Sequence, residues 1–259
     1  MPKGKRYAKR TRRRPAWVGV LALLVVAAAG ILRYLGVDWN TLLPAGAGAP
    51  AASQTAPEGT LQVYYFDVGQ ADSELICLPT GEHILIDAGT SSTQEELVRQ
   101  LRSLGAETLD LVVATHPHAD HIGGMAAVLE ALTVEQIVMP VTSDSSTPTT
   151  QTYEALLDAI GEEGLTVTPA QAGEEIWNGG GASLQVLAPN AQSYGDLNDY
   201  SVVLRLAYGA DSFLFTGDAE ETSEEEMLSR GWTLNATVLK CGHHGSETST
   251  SQPFLDAVR

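Results

Sequence analysis

The sequence predicts an α/β layered domain over residues 60–259, and three features of the pattern support this prediction. Short apolar runs with the spacing of strands alternate with amphipathic runs that have the spacing of helices. One apolar run, DLVVAT, leads directly into a cluster of histidines. Three further apolar runs end in an aspartate or a histidine pair, so polar side chains gather at strand ends.

Turn and cap signals divide this domain into its elements. The turns GQAD and PTGE separate the first strands, and two of the helices end at a glycine. The predicted strands are 61–66, 74–78, 83–87, 110–115, 135–140, 183–189, 201–208, 212–218 and 235–240. The predicted helices are 93–105, 123–132, 152–164 and 220–231, and residues 188–200 are a predicted loop.

The N-terminal part of the chain has a different composition. Residues 1–15 carry eight Lys or Arg and no acidic residue, and they predict a basic cytoplasmic N-terminus. Residues 16–37 are mostly apolar and, with Arg33 reaching the interface, are long enough to cross a bilayer as an uncleaved signal anchor. This predicts a single-pass protein of the cell membrane with its domain outside the cell. A signal peptide cleaved near AGAGA is the alternative.

The rest of the chain is acidic. Residues 38–59, rich in Pro, Ala, Gly, Ser and Thr, predict a flexible linker. After residue 57 there are six Lys or Arg and 31 Asp or Glu, a net charge of 6 − 31 = −25. Such a surface repels polyanions, which argues against avid non-specific binding of DNA. Cys77 and Cys241 are too few for a disulfide framework, and buried free thiols, a single disulfide and a metal role for Cys241 are the alternatives.

The stretch THPHADHIGG collects metal-ligand side chains in one short loop. His116, His118, Asp120 and His121 fall within six positions of a chain that has only six histidines. Their spacing predicts that His116 and His118 face one ion while Asp120 and His121 face a neighbouring one. Imidazoles with a carboxylate suit Zn²⁺, Mn²⁺ or Fe²⁺.

Other ligand types follow apolar strands elsewhere in the chain. Asp87 ends HILID, Asp218 ends SFLFTGD, and His243 and His244 follow VLKCG. A single aspartate in such a place is usually a turn former or a helix cap. Because the same local design occurs three times, we expect these side chains to converge on a common site.

These motifs together resemble a known family. H-x-H-x-D-H, with LIDAG before it and FTGD and HHGS after it, resembles the metallo-β-lactamase fold. DVGQADSELI, LNDYSVVLRL and VLKCGHHGS narrow the resemblance to the hydrolase domain of the ComEC competence proteins and its stand-alone relatives, over about residues 60–259. The resemblance implies a four-layer αββα sandwich with two divalent metal ions, Zn²⁺ or Mn²⁺, at one edge of its two sheets.

The resemblance also implies roles for individual residues. The implied ligands are His116 and His118 for the first metal, Asp120 and His121 for the second, Asp218 as a bridge between the ions, and His243 or His244 for the second metal, with His243 slightly favoured. Asp87 would orient a ligand histidine by hydrogen bonding. Asp67, Gln70 and Asp72 match a stretch near the cleft, although Asp67 fits the role of a turn former equally well.

The chain departs from the family pattern in two places. No histidine lies between residues 122 and 242, where many members supply a third histidine to the first metal. Asn198 or a water molecule is expected to complete that site, or the site binds weakly. The family also continues with further strands after HHGS, so the resemblance implies that a C-terminal part of the domain is missing beyond Arg259.

The resemblance predicts a hydrolase that uses a water molecule activated by the two ions to cleave phosphodiesters, with single-stranded DNA as a candidate substrate. Asp120 or Asp218 would position the attacking water. Lys240 and His244 are candidates for phosphate contact or leaving-group protonation, against a purely structural role. The alternatives are a hydrolase of a small phosphodiester or phosphocholine ester, and a non-catalytic accessory module with an incomplete metal site. The sequence predicts no oligomeric state.

Overall fold

The computed structural model describes residues 59–259, whose strands form two main sheets. The first sheet contains, in spatial order, β1 (Gln62–Tyr65), β2 (Glu74–Cys77), β3 (His83–Ile86), β5 (Leu111–Val113), β7 (Ile137–Met139) and β8 (Val167–Pro169). The second contains β13 (Val238–Lys240), β12 (Asp211–Phe215), β11 (Val203–Tyr208), β10 (Ala182–Ala188) and β9 (Glu175–Gly179). The short strands β4 (Thr108–Leu109) and β6 (Thr133–Val134) pair in parallel beside them.

Helices cover the outer faces of both sheets. They are α1 (Gln94–Ser103), α2 (Ala119–Ile122), α3 (Met125–Ala131), α4 (Gln151–Glu162), α5 (Glu221–Arg230) and α6 (Gln252–Val258). One apolar core joins the first sheet to α1, α3 and α4, a second lies between the sheets, and a third joins the second sheet to α5 and α6. These three cores separate four layers in the order helix, sheet, sheet, helix, and the α/β prediction is confirmed.

The apolar strands are explained by burial on both faces. In β3, Leu85 packs into the core under the helices, while Ile84 and Ile86 pack between the sheets. Successive side chains of a strand point to opposite faces, so a strand covered on both sides is apolar at every position. Val112 in β5 and its neighbours Leu111 and Val113 divide in the same way.

Parallel pairing brings the polar strand ends to shared edges. β3 pairs in parallel with β5, so Asp87 and the histidine loop leave the same edge of the first sheet. β12 pairs in parallel with β13, so Asp218 and the pair His243–His244 leave one edge of the second sheet. The predicted convergence of strand ends therefore has a topological basis.

Several elements differ from the sequence prediction. Most strands are shorter than predicted, β10 is displaced by one residue, and β4, β6, β8, β9, α2 and α6 were not predicted. β8 has three residues and ends in a proline, and α2 is one turn within the histidine loop, so neither carries a periodic signal. The predicted N-terminus 1–15, the predicted span 16–37 and all of the linker except residue 59 lie outside the described residues. Between residues 59 and 259, no helix has both the length and the apolar character needed to cross a bilayer.

Candidate metal centre

The histidine loop begins with a residue that is fixed by Asp87. The Asp87 carboxylate accepts hydrogen bonds from the Thr115 amide at 2.8 Å and from the Thr115 hydroxyl at 2.6 Å. It also accepts one from His121 Nδ1 at 2.7 Å. Asp87 is buried and has a φ of 55°, a conformation that aspartate tolerates better than most residues. The carboxylate therefore contacts both ends of the loop, a position suited to the orienting role that the resemblance implies for Asp87.

The two glycines that end the loop allow close packing. A Cβ atom on Gly123 would lie 2.3 Å from the Ala119 carbonyl oxygen and 2.5 Å from the Ser91 amide nitrogen. A Cβ atom on Gly124 would lie 2.3 Å from the Ala88 carbonyl oxygen. Since these neighbours are backbone atoms, only glycine fits, and the loop lies directly against the segment that follows β3.

Asp218 lies at the centre of the imidazole groups. Its Oδ1 is 3.2 Å from His121 Nε2. Its Oδ2 is 3.5 Å from Nε2 of His244 and 3.8 Å from Nε2 of both His116 and His243. The Asp218 amide donates a hydrogen bond to Ser201 Oγ at 3.0 Å, which fixes the backbone at this point. The structure therefore brings together residues from three strand ends, those of β5, β12 and β13.

Besides Asp72 Oδ2, which is paired with Lys240, two buried atoms at the centre have no hydrogen-bond partner within the described residues. They are His121 Nε2 and Asp218 Oδ1, which face each other. His121 Nδ1 is engaged with Asp87, so in the neutral imidazole Nε2 carries a lone pair, and the carboxylate also only accepts. Two buried acceptors at this distance need a proton or a metal ion between them. The donor set therefore fits a divalent metal ion.

Four residues offer ligand atoms that all lie within 4.8 Å of one another: Asp72, His121, Asp218 and His244. This group differs from the predicted assignment in two respects. His244, rather than the slightly favoured His243, belongs to it, and Asp72 lies inside it instead of beside the cleft. His244 Nδ1 is 3.4 Å from Asp72 Oδ1, and its Nε2 is 3.2 Å from Asp120 Oδ2, so Asp120 lies at the edge of the group.

The other predicted pair of ligands, His116 and His118, lie next to each other beside His121. His116 Nε2 is 3.0 Å from His118 Nδ1, and His116 Nδ1 lies 3.3 Å from Ser201 Oγ. Burial and the neighbouring His121 hold the pKa of His116 well below its usual value, so its imidazole is neutral and able to bind a metal. His116 is fully buried, whereas His118 is half-buried.

Asn198 reaches the site through Glu220. Asn198 Nδ2 donates to Glu220 Oε1 at 3.1 Å, and the Asn198 Oδ1 atom is buried without a partner among residues 59–259. Glu220 Oε1 also lies 3.0 Å from His243 Nδ1 and 2.8 Å from Thr248 Oγ1. His243 is thus held by Glu220, and the structure shows no hydrogen bond from Asn198 to any histidine. The sequence analysis missed Glu220 because it stands in an acidic run in which no single residue is distinctive.

Lys240 forms an ion pair with a carboxylate of the site. Its ammonium group forms a buried ion pair with Asp72 and donates to the Gly217 carbonyl at 3.1 Å. Burial alone would lower the pKa of Lys240, but Asp72 and the buried Glu74 raise it, so the side chain is charged. The position next to Asp72 supports the structural alternative for this lysine and leaves its predicted contact with phosphate as a prediction.

The DVGQAD stretch contributes one residue to the centre. Asp72 belongs to the metal group, whereas Asp67 and Gln70 are exposed. Asp67 Oδ1 accepts a hydrogen bond from the Gly69 amide at 3.4 Å, which matches the role of a turn former. Neither Asp67 nor Gln70 forms a hydrogen bond with the histidines.

The electrostatics of the centre favour bound cations. Burial alone would raise the pKa of Asp218, but the neighbouring His121 and His244 hold it well below its usual value. Hydrogen bonds to Asp120, Asp218 and Asp72 raise the pKa of His244 to about 11. Burial alone would lower the pKa of His121, but Asp87 and Asp218 raise it to about 10. The nitrogen atoms of His121 and His244 therefore carry protons at the positions where a metal ion would bind.

Backbone strain is concentrated at the same place. Four non-glycine residues between 59 and 259 have positive φ, and three of them are Asp87, His243 and His244. Such conformations persist where the surrounding contacts over-determine them, and they cluster at functional sites. The strain therefore agrees with the geometry in marking this edge of the sandwich.

Comparisons with known proteins agree with the geometry. Residues 66–259 match the model of the "Metallo-beta-lactamase superfamily". The "Competence protein ComA" of Neisseria gonorrhoeae is 32% identical over 244 residues, which cover 92% of this chain and 32% of that protein. The "ComE operon protein 3" of Bacillus subtilis is 30% identical over 215 residues, which cover 76% of this chain and 27% of that protein. The chain therefore spans about a third of the length of these relatives.

A solved metallo-beta-lactamase of Cronobacter sakazakii with a HARLDQ motif is 20% identical, with a TM-score of 0.43 over 60% of this chain and 55% of that one. At that score the likeness adds nothing to the sequence matches. The matched family model covers every residue of the histidine loop, Asp218 and the His243–His244 pair. On these matches, the chain belongs to the metallo-beta-lactamase superfamily and is similar to ComEC-type competence proteins.

Proposed function

We propose that this chain is a metal-dependent hydrolase of phosphodiesters, with single strands of DNA as its substrate. The observation that carries the proposal is the pair of unpartnered buried acceptors, His121 Nε2 and Asp218 Oδ1, within a group of four possible ligands. The substrate class is supported by the competence proteins that the chain resembles.

Different residues of the site would bind the cations and orient the ligands. His121, Asp218, His244 and Asp72 would hold one cation, and His116 and His118 with Asp218 would hold the second. When bound, such ions acidify a water molecule and withdraw charge from a phosphoryl group. Asp87 would fix the His121 ring so that Nε2 faces the cation, and Asp120 or Asp218 would accept a proton from the attacking water.

A second candidate function is hydrolysis of a small phosphodiester or phosphocholine ester. The charge of the domain favours it, because residues 59–259 contain six Lys or Arg against 30 Asp or Glu. Phosphate contacts that dominate affinity for long nucleic acids need cationic side chains. A non-catalytic accessory module remains the third alternative, since no third histidine completes the first site.

Turnover by matched variants tests the proposal. We expect the wild type with Mn²⁺ or Zn²⁺ to cleave bis-p-nitrophenyl phosphate and single-stranded DNA. Asp218→Asn should abolish both activities, whereas Asp144→Asn, at an exposed loop residue, should leave both unchanged. Equal DNA cleavage by the wild type and by Asp218→Asn would contradict the proposed nuclease activity. Cleavage of only the small ester would favour the second candidate, and no turnover at all would favour the accessory module.

The proposal includes attachment to the cell membrane through residues 16–37, with the hydrolase domain outside. The basic residues that precede this apolar run support that orientation. Protease treatment of intact spheroplasts should remove the domain without lysis. Protection of the domain until lysis would contradict the proposed orientation.

A further inference from the structure

A cavity of about 690 Å³ lies along the same edge of the sandwich as the histidine loop. Its walls include Val141 after β7, Gln171 after β8, Asn190 and Gln192 after β10, and Arg230 and Trp232 at the end of α5. Its volume is in the range of sites that bind small organic ligands. We propose that this cavity binds a nucleotide unit of the substrate strand adjacent to the cleaved phosphodiester. The inference rests on the proposed function and names a binding site for its substrate.

The sheet order places the cavity next to the metal centre. β5, β7 and β8 are neighbours and run parallel, so their carboxyl ends share one edge. The histidine loop follows β5, and the cavity walls follow β7 and β8. Neighbouring strands are about 4.8 Å apart, so the cavity begins roughly 5–10 Å along the edge from the loop. A nucleotide attached to the reacting phosphate would enter it.

A buried tyrosine connects the cavity wall to the metal centre. The Tyr200 hydroxyl accepts a hydrogen bond from the Ser143 amide at 3.4 Å and lies 3.1 Å from Ser143 Oγ. The next residue, Ser201, accepts a hydrogen bond from the Asp218 amide and lies 3.3 Å from His116 Nδ1. Ser143 lines the cavity, so two consecutive residues fix its wall relative to the histidines.

The cavity holds a cation without a carboxylate partner. Of the six Lys and Arg between residues 59 and 259, four form ion pairs: Arg99, Arg102, Lys240 and Arg259. Arg230 instead donates from Nη2 to the Asn190 carbonyl at 3.3 Å. In a domain this acidic, a guanidinium group with free donors inside a cavity is suited to a phosphate.

The other polar groups suit a base and its sugar. Trp232 Nε1 donates to Asn190 Oδ1 at 3.1 Å, so Asn190 fixes both the indole and the guanidinium group. Aromatic side chains stack on nucleic-acid bases with little preference for sequence. The amides of Gln171 and Gln192 are exposed at the wall and offer donors and acceptors to a base edge. This set predicts binding that depends on a nucleotide and tolerates different bases.

The test compares Arg230→Ala with Arg205→Ala in the full chain. Arg205 is a matched control, because it also lacks a carboxylate partner and donates to a backbone carbonyl, that of Asn235 at 3.0 Å. The substrates are a fluorescein-labelled deoxythymidine oligomer and bis-p-nitrophenyl phosphate, which has no nucleotide to place in the cavity. We expect Arg230→Ala to raise KM for the oligomer about tenfold, as for the loss of one charge-assisted hydrogen bond. Its kcat, and its turnover of the small ester, should equal those of the wild type and Arg205→Ala.

Two results would overturn the inference. One is an oligomer KM for Arg230→Ala equal to that of Arg205→Ala, and the other is a wild type that cleaves the small ester but not the oligomer. If the wild type cleaves neither substrate, the proposed function fails. Fluorescence anisotropy of the labelled oligomer with Mn²⁺ then tests separately whether the cavity binds a nucleotide. A Kd weakened by Arg230→Ala alone supports the cavity, and an unchanged Kd rejects it.

Discussion

Asp87 Oδ2 accepts a hydrogen bond from His121 Nδ1 at 2.7 Å, and this contact determines which ring nitrogen faces Asp218. Replacement of Asp87 by asparagine keeps the shape of the side chain and tolerates the positive φ. The loss of the charged acceptor should weaken affinity for Zn²⁺ or Mn²⁺ by about 10- to 100-fold. Isothermal titration of the variant against the wild type measures this change.

The control for this prediction is Asp144→Asn, which removes a charge from an exposed loop. It should bind metal as the wild type does. Equal affinities for Asp87→Asn and the wild type, with both proteins folded by circular dichroism, would show that the contact does not orient His121.

The buried pair of Lys240 and Asp72 predicts an effect on stability. Lys240→Met leaves the buried carboxylate of Asp72 without its cation, and such an unpaired charge costs about 3–5 kcal/mol. We expect that loss in the free energy of unfolding in urea with chelator present. In the double variant Lys240→Met with Asp72→Asn, the loss should be smaller than the sum of the two single losses. Additive losses would mean that the two side chains do not interact.

Much of the site was predictable because ligand residues stand at strand ends with short motifs around them. Asp87, the histidine loop and Asp218 follow apolar strands, and parallel pairing brings such ends together. The choice between His243 and His244 was not predictable, because both have positive φ and their directions depend on the turn that follows β13. The contact of Glu220 with His243 and the place of Asp72 in the metal group were not predictable either. Both depend on packing between segments that are distant in the sequence, and no local sequence pattern indicates such packing.

In the fold, too, some elements were predictable from the sequence and others were not. Strands covered on both faces carry long apolar runs, so β3, β5, β10 and β12 were predicted close to their observed positions. β9 is half-exposed and contains Glu175 and Asn178, so its sequence lacks the signal of a buried strand. β9 forms a strand because it pairs with β10, and its own composition does not indicate this pairing.

Metal binding should stabilise the folded domain. The centre holds the carboxylates of Asp72 and Asp218 within 4.8 Å of each other, and a cation that binds only the folded state offsets their repulsion. At a metal concentration of 100 times Kd, the stabilisation is about 2.7 kcal/mol. For a domain of this size we expect a rise in Tm of about 5–10 °C. Differential scanning calorimetry with Mn²⁺ and with chelator measures it, and identical Tm values would contradict it.

The two cysteines should differ in reactivity. Burial raises the pKa of the Cys77 thiol to about 11, whereas Cys241 is exposed. The thiolate is the reactive form, so Cys77 should stay protonated and inert at pH 8 and become reactive only as the pH approaches 11. Mass spectrometry after brief treatment with iodoacetamide at pH 8 should find the label on Cys241. Equal labelling of Cys77 in the folded protein would contradict its burial.

Equilibrium dialysis of the full chain against Zn²⁺ or Mn²⁺, followed by elemental analysis, tests most directly whether His121, Asp218 and His244 hold a cation. We predict stoichiometric metal in the wild type and in Asp144→Asn, and a large loss in Asp218→Asn. Metal content in the wild type no higher than in Asp218→Asn would contradict the account.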